Sequence, residues 1–460
     1  MTMPAKPRPD RLLKTLAHRV LAAPEARDAF AFQEHLAESQ WYGHDIIEAY
    51  QLRHLKALAQ HAAREVSYYR DALPLAKIDR AASLREALSY IPILPRDRLA
   101  ADPDAFRAAA LPEGQHCTGE QRSSGSTGQI VRIETTNLHY GWQNALNFRA
   151  HLWAARDFAK PIAIIRKMAE GAAPPPEGVR QDHWDAPTVI PVVSAASWYL
   201  DTTATLDQIW DWLGRVKPAY LMTYPSILRE LARRATMEKP PFTLAGVTTI
   251  GETVDADLRA LSAARLGAEV HDIYSANEIG TIAIQCPASR RYHVQAEALI
   301  VEVVGADGRT CAPGGTGRLL LTPLFNFSTP LLRYDIGDYA EQGSPCACGR
   351  GLPVLNRILG RTRNMLTTPD GKLYWPALSN KIWQKIVPIR KFQLRQVALD
   401  RIEVWLATQS PVTHEQEARI TEVLAASLPA PYHLDFHYVE DIAAGPGGKF
   451  EQVLNFVGRA

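Results

Sequence analysis

Short β-branched runs alternate with amphipathic helical stretches through the middle of this 460-residue chain, and this alternation limits the possible folds more than any other feature. The predicted strands are 162–165, 188–193, 220–223, 246–250 and 268–274. The predicted helices between the later strands are 205–215 and 226–235. Strands that alternate with helices favour a doubly wound, mostly parallel sheet, because each helix returns the chain so that the next strand runs in the same direction.

Two regions beside this alternation have other patterns. Residues 12–70 carry apolar positions at helical spacing, which predicts helices packed on a larger body. From 298 to about 358 strands follow one another with little helix between them, at 300–304, 318–322 and 331–334. This second pattern indicates a β-rich subdomain built from hairpins.

Beyond residue 360 the pattern changes again, with strands at 402–407 and 434–439 and a helix at 414–428 between them. About a hundred residues are enough for a small domain. The predicted fold class is therefore α/β, with a large N-terminal domain, 1–360, that contains the doubly wound sheet and the β-rich subdomain. A small mobile α+β domain, 361–460, is predicted to follow it as a lid.

Composition excludes several classes of protein. The net charge of +2 gives no strong field for nucleic acid or an anionic membrane, and 46% hydrophobic residues is ordinary for a globular chain. No apolar run approaches the roughly 20 residues of a membrane span. The first eleven residues are basic and proline-rich and do not resemble a signal peptide, so we expect a cytoplasmic protein.

Residues 122–128, with the sequence RSSGSTG, contain two glycines and four hydroxyl side chains. Glycine lets the backbone approach a ligand with successive N–H groups pointing inward, and the hydroxyls add further donors, so the segment suits a polyphosphate. It is not a Walker A loop, because no Gly-Lys-Ser/Thr follows. The alternative interpretation is a flexible Ser/Gly linker.

Residues 272–280, DIYSANEIG, follow a predicted strand and so lie at the edge where doubly wound sheets bind ligands. Tyr274 could stack on a base, and Glu278 could hold a Mg²⁺ ion that bridges phosphates. A strand end followed by a helix cap is the structural alternative.

Two further segments each end in a charged residue. RYDIGD, 333–338, predicts a turn whose Asp338 could accept both hydroxyls of a ribose, the alternative being a solvated turn. GPGGK, 445–449, carries Lys449 on a glycine-rich turn, from which a cation could reach into a site, the alternative being a surface lysine.

Taken in this order, the motifs resemble the adenylate-forming superfamily of acyl-CoA synthetases, peptide-synthetase adenylation domains and luciferases. Within it the chain looks most like the phenylacetate–CoA ligase branch, whose members are also described as CapK-like. The resemblance runs through 61–70, 123–128, 251–252, 272–278, 333–338, 359–365 and 448–449.

The resemblance implies an ATP site that uses Mg²⁺, with coenzyme A as co-substrate. The residues implied to hold the β- and γ-phosphates are Ser123, Ser124, Gly125, Ser126, Thr127 and Gly128. Those implied to line the adenine pocket are Gly251, Glu252, Asp272 and Tyr274. The remaining implied roles are Mg²⁺ binding for Glu278, ribose binding for Asp338, nucleotide contact near a hinge for Arg361, and contact with the carboxylate and α-phosphate for Lys449.

Three positions depart from the family pattern. Gln129 stands where the phosphate loop often has lysine, Asn277 replaces the Thr or Ser before the Mg²⁺-binding glutamate, and Arg363 lies in an altered hinge. Asn277 can still donate a hydrogen bond. The changes bear on rate and on domain alternation more than on nucleotide binding.

Four residues predict a zinc site. Cys286, His293, Cys346 and Cys348 supply three thiols and one imidazole, the donor set that tetrahedral Zn²⁺ prefers. Some members of the resembled branch have a structural zinc in this region. With four protein ligands the ion would be structural, and the alternative is a set of buried free cysteines beside a surface histidine.

Three functions are compatible with these motifs. The first is a ligase that joins an aromatic or similarly compact acid to coenzyme A. The second is an acyl-AMP-forming enzyme that loads a carrier-protein thiol or an amine, and the third is a catalytically weak nucleotide-binding homologue. A homodimer is left open. Candidate walls for the acid are Tyr140, Trp142, Tyr224 and Ile273.

Overall fold

A helical segment begins the part of the chain that the computed structural model describes, namely residues 24–123, 130–184, 193–361, 364–374, 376, 386–408, 410–445 and 449–457. Its elements are α1 (Pro24–Ser39), α2 (His44–Glu65), α3 (Leu75–Arg80), α4 (Leu84–Ser89) and α5 (Arg96–Ala101), with 3₁₀ turns at Ser67–Tyr69 and Pro103–Phe106. In α2 the side chains of Leu55, Leu58 and Ala62 recur at helical spacing and are buried in the core of the molecule. The helical segment is therefore packed on a larger body, as its pattern predicts.

Two strands, β1 (Cys117–Arg122) and β2 (Arg132–Thr136), form an antiparallel hairpin that leads into α6 (Asn137–Trp153). The Thr136 side chain accepts a hydrogen bond from the His139 N–H and so caps α6. Glu134 in β2 accepts a hydrogen bond from the Ser328 hydroxyl, which fixes the hairpin to the larger body. The hairpin therefore holds the base of the predicted phosphate segment 122–128, of which residues 124–128 lie outside the described residues, as does Gln129.

Five parallel strands lie side by side toward one edge of a twelve-stranded sheet. Their order in space is β5 (Ser197–Asp201), β3 (Ile162–Arg166), β6 (Tyr220–Thr223), β7 (Gly246–Ile250) and β8 (Val270–Ala276). The helices between them are α7 (Leu206–Val216), α8 (Pro225–Arg234) and α9 (Ala256–Leu266), and the short strand β4 (Val179–Gln181) pairs antiparallel with β5 at the outer edge. This is the doubly wound arrangement that the alternating pattern predicts.

The sheet continues beyond β8 with antiparallel strands. In spatial order these are β9 (Gly280–Gln285), β10 (Tyr292–Val294), β14 (Val354–Arg361), β13 (Tyr334–Gln342), β12 (Thr316–Pro323) and β11 (Leu299–Val304). The predicted β-rich region corresponds to β11–β14, and β9 and β10 join it by hydrogen bonds to the parallel strands. One hydrophobic cluster lies between the helical segment and the antiparallel strands, and the parallel strands pack with their helices in separate clusters.

A C-terminal unit has its own small sheet. Strands β15 (Leu366–Thr367) and β16 (Leu373–Tyr374) form a short two-stranded sheet. In the four-stranded sheet that follows, the order in space is β19 (His433–Val439), β18 (Arg401–Thr408), β17 (Ile389–Ala398) and β20 (Val453–Asn455). Ile420 and Leu424 of α10 (His414–Ser427) pack with Phe392 and Val404 in a separate hydrophobic cluster. This cluster gives the chain after β14 a core of its own. We call the described residues from 364 onward the C-terminal unit.

The predicted α/β fold class is confirmed, with some differences in detail. The predicted strand at 188–193 falls mostly outside the described residues, and the sequence analysis missed β5. The strand predicted at 331–334 begins at Tyr334 and runs to Gln342 instead. Among the described helices, none combines the length and the apolar character needed to cross a membrane.

Candidate functional site

Polar loops follow the neighbouring strands β6, β7 and β8 where each strand ends. Because the carboxyl ends of parallel strands meet at one edge, these loops lie where ligands bind in doubly wound sheets. We call the following set the sheet-edge site: Tyr224, Gly251, Glu252, Tyr274, Glu278, Asp338, Arg361 and Lys449.

Glu278 lies just beyond β8 and is buried against two side chains from distant parts of the chain. Its carboxylate forms an ion pair with Arg96, the first residue of α5, and accepts a hydrogen bond from the Tyr334 hydroxyl at 3.3 Å. The same Arg96 nitrogen donates to the Tyr334 oxygen at 2.7 Å. Two other guanidinium nitrogens of Arg96, Nε and one Nη, are buried with no hydrogen-bond partner among the described residues. Glu278 is thus balanced by a cation that retains unused donors.

The sequence analysis did not identify Arg96. Arg96 and Glu278 are separated by 182 residues in sequence, and nothing in the local LPRDR segment distinguishes this arginine from a solvated one. An arginine at the first turn of a short helix after Pro95 is a common surface feature. Only the folded chain brings it to the carboxylate.

The side chains of Asp338 in β13 and Tyr274 in β8 contact each other. The Tyr274 hydroxyl donates to Asp338 Oδ2 at 2.6 Å, and Arg361 Nε lies 3.4 Å from Asp338 Oδ1. The predicted turn at Asp338 is corrected by the structure, because Asp338 lies within β13 and faces Arg361 of β14. A shift in register between β12 and β13 lies just before it, at Gly337, which has φ of +82°. The bulge, and not a turn, directs the carboxylate toward Tyr274.

Lys449 comes from the C-terminal unit and reaches the sheet-edge site. A β-carbon built on Gly251 would lie 2.9 Å from Lys449 Cε and 3.2 Å from Nζ, so the lysine stem lies against the Gly251 backbone. Burial lowers the pKa of the Lys449 ammonium below its ordinary value, and the charge of Arg361 acts in the same direction, while Asp338, Glu252 and Glu278 oppose them. The charges of three carboxylates and one guanidinium therefore act on the ammonium.

The Glu252 carboxylate accepts hydrogen bonds from three donors. Its Oε2 accepts from the Ser226 N–H at 2.8 Å, and its Oε1 accepts from the Ser226 hydroxyl at 2.9 Å and from the Phe450 N–H at 2.7 Å. Burial raises the pKa of the Glu252 carboxyl above its ordinary value, and these hydrogen bonds and the Lys449 charge act against that rise. The sequence analysis assigned Glu252 to an adenine pocket, whereas its carboxylate here binds α8 and the C-terminal unit.

Asp272 is buried beneath the edge. It accepts hydrogen bonds of 2.6 Å from Thr249 of β7 and from Tyr292 of β10, and its own N–H donates to Gln285 at 3.2 Å. Burial raises the pKa of the Asp272 carboxyl, and the two hydroxyl donors oppose the rise. This network ties β7, β8, β9 and β10 together below the site. Whether Asp272 also contacts adenine stays a prediction.

The base of the predicted phosphate loop lies beside the loop that carries Glu278. Asn277 Nδ2 donates to the Arg122 carbonyl at 3.0 Å, and the Ser123 hydroxyl accepts from the Val131 N–H at 2.9 Å. The structure therefore places Arg122, at the start of the predicted phosphate segment, beside the loop that carries Glu278. The predicted phosphate ligands Ser124, Gly125, Ser126, Thr127 and Gly128 lie outside the described residues.

The four candidate walls for an acid have different surroundings. Trp142 is stacked on Phe325 at 4.7 Å with an interplanar angle of 8° and is buried in the core, so its ring faces are covered by protein. Tyr140 is 45% exposed on α6. Tyr224 is buried beside Gly251, and Ile273 is partly buried in β8. Of the four, Tyr224 is the one that belongs to the sheet-edge site.

The predicted zinc ligands Cys286, His293, Cys346 and Cys348 come together, and we call this set the Cys₃His cluster. One donor atom from each of the four residues lies within 4.8 Å of the other three. Cys286 follows β9, His293 lies in β10, and the two remaining cysteines lie in the loop between β13 and β14. A hydrogen bond with Cys348 lowers the pKa of the Cys286 thiol well below its ordinary value. The donor set and its compactness fit a tetrahedral Zn²⁺ site.

The surroundings of the cluster orient its ligands. His293 Nδ1 lies 3.4 Å from the Leu352 carbonyl, which directs Nε2 to Cys348 Sγ at 3.3 Å. Gly349 has φ of +85° and donates its N–H to the Cys346 carbonyl at 3.2 Å, so glycine closes the turn around the thiols. The turn agrees with the C-x-C-G pattern of the sequence.

Comparison with known proteins concerns the fold. Neither the protein-family models nor the curated proteins give a match to the sequence. Among solved structures, 2-hydroxyisobutyryl-CoA ligase in the postadenylation state, in complex with 2-HIB-AMP, aligns with a TM-score of 0.69 at 16% identity, over 88% of this chain and 89% of that chain. In its thioesterification state, in complex with 2-HIB-AMP and CoA, the same ligase aligns with a TM-score of 0.56 at 18% identity, over 89% of each chain.

Two ligases for aromatic acids are also similar in structure. An anthranilate CoA ligase in complex with anthranoyl-AMP aligns with a TM-score of 0.54 at 14% identity, over 80% of this chain and 74% of that chain. A benzoate CoA ligase from Burkholderia xenovorans LB400 aligns with a TM-score of 0.53 at 13% identity, over 75% of this chain and 70% of that chain. The chain therefore has the fold shared by these CoA ligases. It is a mixed α/β fold with one large sheet and, after it in the chain, a smaller separate sheet.

Proposed function

We propose that this chain is an ATP-dependent ligase that converts a carboxylic acid to its acyl-AMP with release of pyrophosphate and then transfers the acyl group to coenzyme A. The observation that carries the proposal is Lys449, whose stem lies against Gly251 at the carboxyl edge of the parallel sheet and whose ammonium is subject to the charges of Asp338, Arg361 and Glu278. A protein that only bound a nucleotide would have no need of a lysine delivered from a second unit.

The proposed first step matches the charges at this edge. A carboxylate oxygen attacks the α-phosphorus, the bond from phosphorus to the pyrophosphate oxygen breaks, and negative charge grows on the phosphoryl oxygens. Positioned cations stabilise such a transition state most effectively where water is excluded. Among the described residues, Lys449 and Arg361 offer cations at the site besides Arg96, and burial around Lys449 strengthens its field.

The proposed nucleotide contacts follow from the same geometry. Tyr274 presents an aromatic face for the adenine, and Asp338 presents a carboxylate for the ribose hydroxyls. Nucleotide binding then requires Asp338 to exchange at least part of its present hydrogen bonding with Tyr274 and Arg361. The hairpin loop that begins at Ser123 is the proposed phosphate cradle.

Mg²⁺ is the proposed metal cofactor. Mg²⁺ sites in nucleotide enzymes use one or two carboxylates together with substrate phosphates, and the single buried Glu278 fits that pattern. When bound, the ion would neutralise charge on the phosphates. Glu278 would then leave its ion pair with Arg96, whose guanidinium already has donors without partners among the described residues.

The arrangement of the two units supports an assignment to the adenylating state. The chain aligns better with 2-hydroxyisobutyryl-CoA ligase in its postadenylation state than with the same ligase in its thioesterification state, at TM-scores of 0.69 and 0.56. We propose that the C-terminal unit moves after the first step, so that Lys449 withdraws and coenzyme A can reach the acyl-AMP.

The Cys₃His cluster is proposed to bind one structural Zn²⁺. All four ligand positions would be filled by protein, which leaves no open position for chemistry. The ion would link β9 and β10 to the loop between β13 and β14. Since β9 begins just after Glu278, zinc would support the sheet-edge site without touching substrate.

An aromatic or similarly compact acid is the proposed substrate class, consistent with the phenylacetate–CoA ligase branch. Support comes from Tyr224, which lies beside Gly251 and Lys449 and offers an aromatic wall. The similarity in fold to ligases for anthranilate and benzoate agrees with this class.

The test is acid-dependent exchange of pyrophosphate into ATP, screened over aryl, heteroaryl and short aliphatic acids, followed by product analysis with and without coenzyme A. The expected result is exchange with at least one acid and thioester formation when coenzyme A is added. Exchange without thioester would redirect the proposal to a carrier-protein thiol or an amine as acceptor. No exchange with any acid would refute adenylation.

A further inference from the structure

We propose that the turn formed by Gly251 and Glu252 is the seat that holds Lys449 in the adenylating arrangement, with Glu252 as a positioning residue. The proposal rests on the proposed adenylating function and adds to it a specific contact that selects one arrangement of the two units. Glu252 does not need to touch substrate for this role, since it acts through the backbone next to Lys449.

The first support is the hydrogen bond between the two units. The Phe450 N–H donates to Glu252 Oε1 at 2.7 Å, and Phe450 directly follows Lys449 in the chain. A bond to the adjacent backbone fixes the origin of the lysine side chain more directly than a contact elsewhere on the C-terminal unit. A charged acceptor also makes the bond stronger than a neutral one.

The second support is the way Glu252 itself is held. Both of its oxygens accept hydrogen bonds from Ser226, through the N–H at 2.8 Å and the hydroxyl at 2.9 Å. Ser226 is the second residue of α8, whose first turn has N–H groups without partners inside the helix. The positive end of the helix dipole favours a carboxylate at this point. Glu252 is therefore oriented before the C-terminal unit arrives.

The third support is the fit of Gly251 against the lysine stem. A β-carbon at this position would lie 2.9 Å from Lys449 Cε and 3.3 Å from a ring carbon of Tyr224, which is closer than ordinary contact. Gly251 also has φ of +77°, a conformation that residues with a side chain rarely adopt. Gly251 thus leaves the space that the Lys449 side chain occupies. Glu252, the next residue, fixes the backbone at Phe450, directly after Lys449.

The carboxylate also favours the lysine through charge. Glu252 is one of three carboxylates whose charge acts on the Lys449 ammonium against the cost of its burial. Replacing Glu252 by Gln removes this charge and places an amide N–H₂ group where the carboxylate accepts from Ser226 or Phe450. At least one of the three hydrogen bonds must then be lost, because Gln has a single acceptor oxygen.

The proposal predicts a difference between the two half-reactions. Glu252→Gln should lower pyrophosphate exchange by about tenfold to a hundredfold, the range for loss of a hydrogen bond to a charged group. Thioester formation from supplied acyl-AMP and coenzyme A should stay close to that of the unaltered protein, because Lys449 has withdrawn in that step. A merely structural role would lower both half-reactions together.

Asp255→Asn is the matched control. It makes the same change of carboxylate to amide three residues further along the same loop, where Asp255 caps α9 and pairs with Arg229. Asn remains a good helix cap, so both half-reactions should stay near those of the unaltered protein. Gly251→Ala should reproduce the selective loss of exchange by displacing the lysine stem.

A measurement independent of activity separates this proposal from the proposed function. The rate at which an amine-reactive reagent modifies Lys449, followed by mass spectrometry, should rise in Glu252→Gln and not in Asp255→Asn. Equal modification rates in the three proteins, or an equal loss of both half-reactions in Glu252→Gln, would overturn the seat. Absence of exchange in the unaltered protein would overturn adenylation itself, while the modification rates would still decide whether the turn holds Lys449.

Discussion

The sheet-edge site and the Cys₃His cluster lie on the same twelve-stranded sheet but are assembled in opposite ways. At the sheet edge, the charged groups pair with one another, Glu278 with Arg96 and Asp338 with Tyr274 and Arg361. In the cluster, four metal donors lie within 4.8 Å of each other on loops and strands of the large sheet alone. The charged groups of the first set already have partners of opposite charge or hydrogen-bond donors, whereas the second set has the donors and the compactness that fit a metal ion.

This difference bears on what each region can do. Under the proposed function, partners at the sheet edge exchange when a nucleotide and its metal bind, and the lysine of the site comes from the separate C-terminal unit. The cluster draws nothing from that unit, so movement of the C-terminal unit leaves it intact. The proposed alternation between two arrangements needs one region that can change and another that stays fixed.

Removal of zinc should have the largest effect in free energy. Metal binding across a loop adds directly to folding, and structural zinc contributes about 10–16 kcal/mol in small peptides, so a loss on the order of several kcal/mol is expected here. Chelation and Cys346→Ser should both lower the melting temperature, while pyrophosphate exchange per folded molecule persists.

Cys117→Ser is the control for the zinc prediction, because Cys117 is exposed and outside the cluster. Elemental analysis of protein purified without added metal gives the zinc content directly. If zinc per chain is near zero and Cys346→Ser melts like the unaltered protein, the cluster is a group of buried thiols and the contrast between the two regions fails.

Lys449→Ala should have the next largest effect, a loss of reaction rate at the sheet-edge site without a change at the Cys₃His cluster. Loss of a group that stabilises developing charge costs about a hundredfold to a thousandfold in rate, so exchange should fall by that factor. ATP affinity, measured by calorimetry, should stay mostly intact because the proposed base and ribose contacts lie in the large unit. Lys372→Ala, an exposed lysine of the C-terminal unit paired with Asp370, is the control, and normal exchange in Lys449→Ala would contradict the assignment.

Glu278→Gln should raise the Mg²⁺ concentration needed for half-maximal exchange by at least roughly tenfold, the lower end of the effect seen when a group supporting a metal site is removed. A neutral amide is a poorer ligand for this hard cation. Arg96→Gln breaks the same ion pair but keeps the carboxylate and removes the cation that competes with Mg²⁺ for it, so half-maximal exchange should need no more Mg²⁺ than in the unaltered protein. An identical Mg²⁺ titration for Glu278→Gln and the unaltered protein would remove Glu278 from the metal role.

Tyr274→Phe should have the smallest effect. It removes one hydrogen bond to Asp338 but keeps the aromatic face, so ATP affinity should change by less than about tenfold. Tyr274→Ala also removes the face, and loss of stacking on a base costs about 1–3 kcal/mol. Binding titrations that show equal losses in the two variants would mean that the hydroxyl, and not the ring, is what the nucleotide uses.

Much of the fold follows from local patterns. Strands β6 and β7 begin and end where their apolar runs predict, and α10 extends over 414–427, one residue short of its predicted range. These segments succeed because side-chain periodicity and strand propensity act between near neighbours in sequence. The predicted turn at Asp338 failed because a bulge depends on the register of the partner strand, which the segment alone does not contain.

The sequence by itself determined the chemical groups of this protein: the hydroxyl-rich segment, Tyr274 and Glu278 at the end of a strand, Lys449 near the C-terminus, and the residues of the Cys₃His cluster. Only the tertiary structure decided which groups act on one another. Arg96 reaches Glu278 across 182 residues, and Glu252 reaches the Phe450 N–H across 198. The physical reason is that hydrogen bonds and ion pairs form over a few ångströms in space, and chain separation carries no information about that distance.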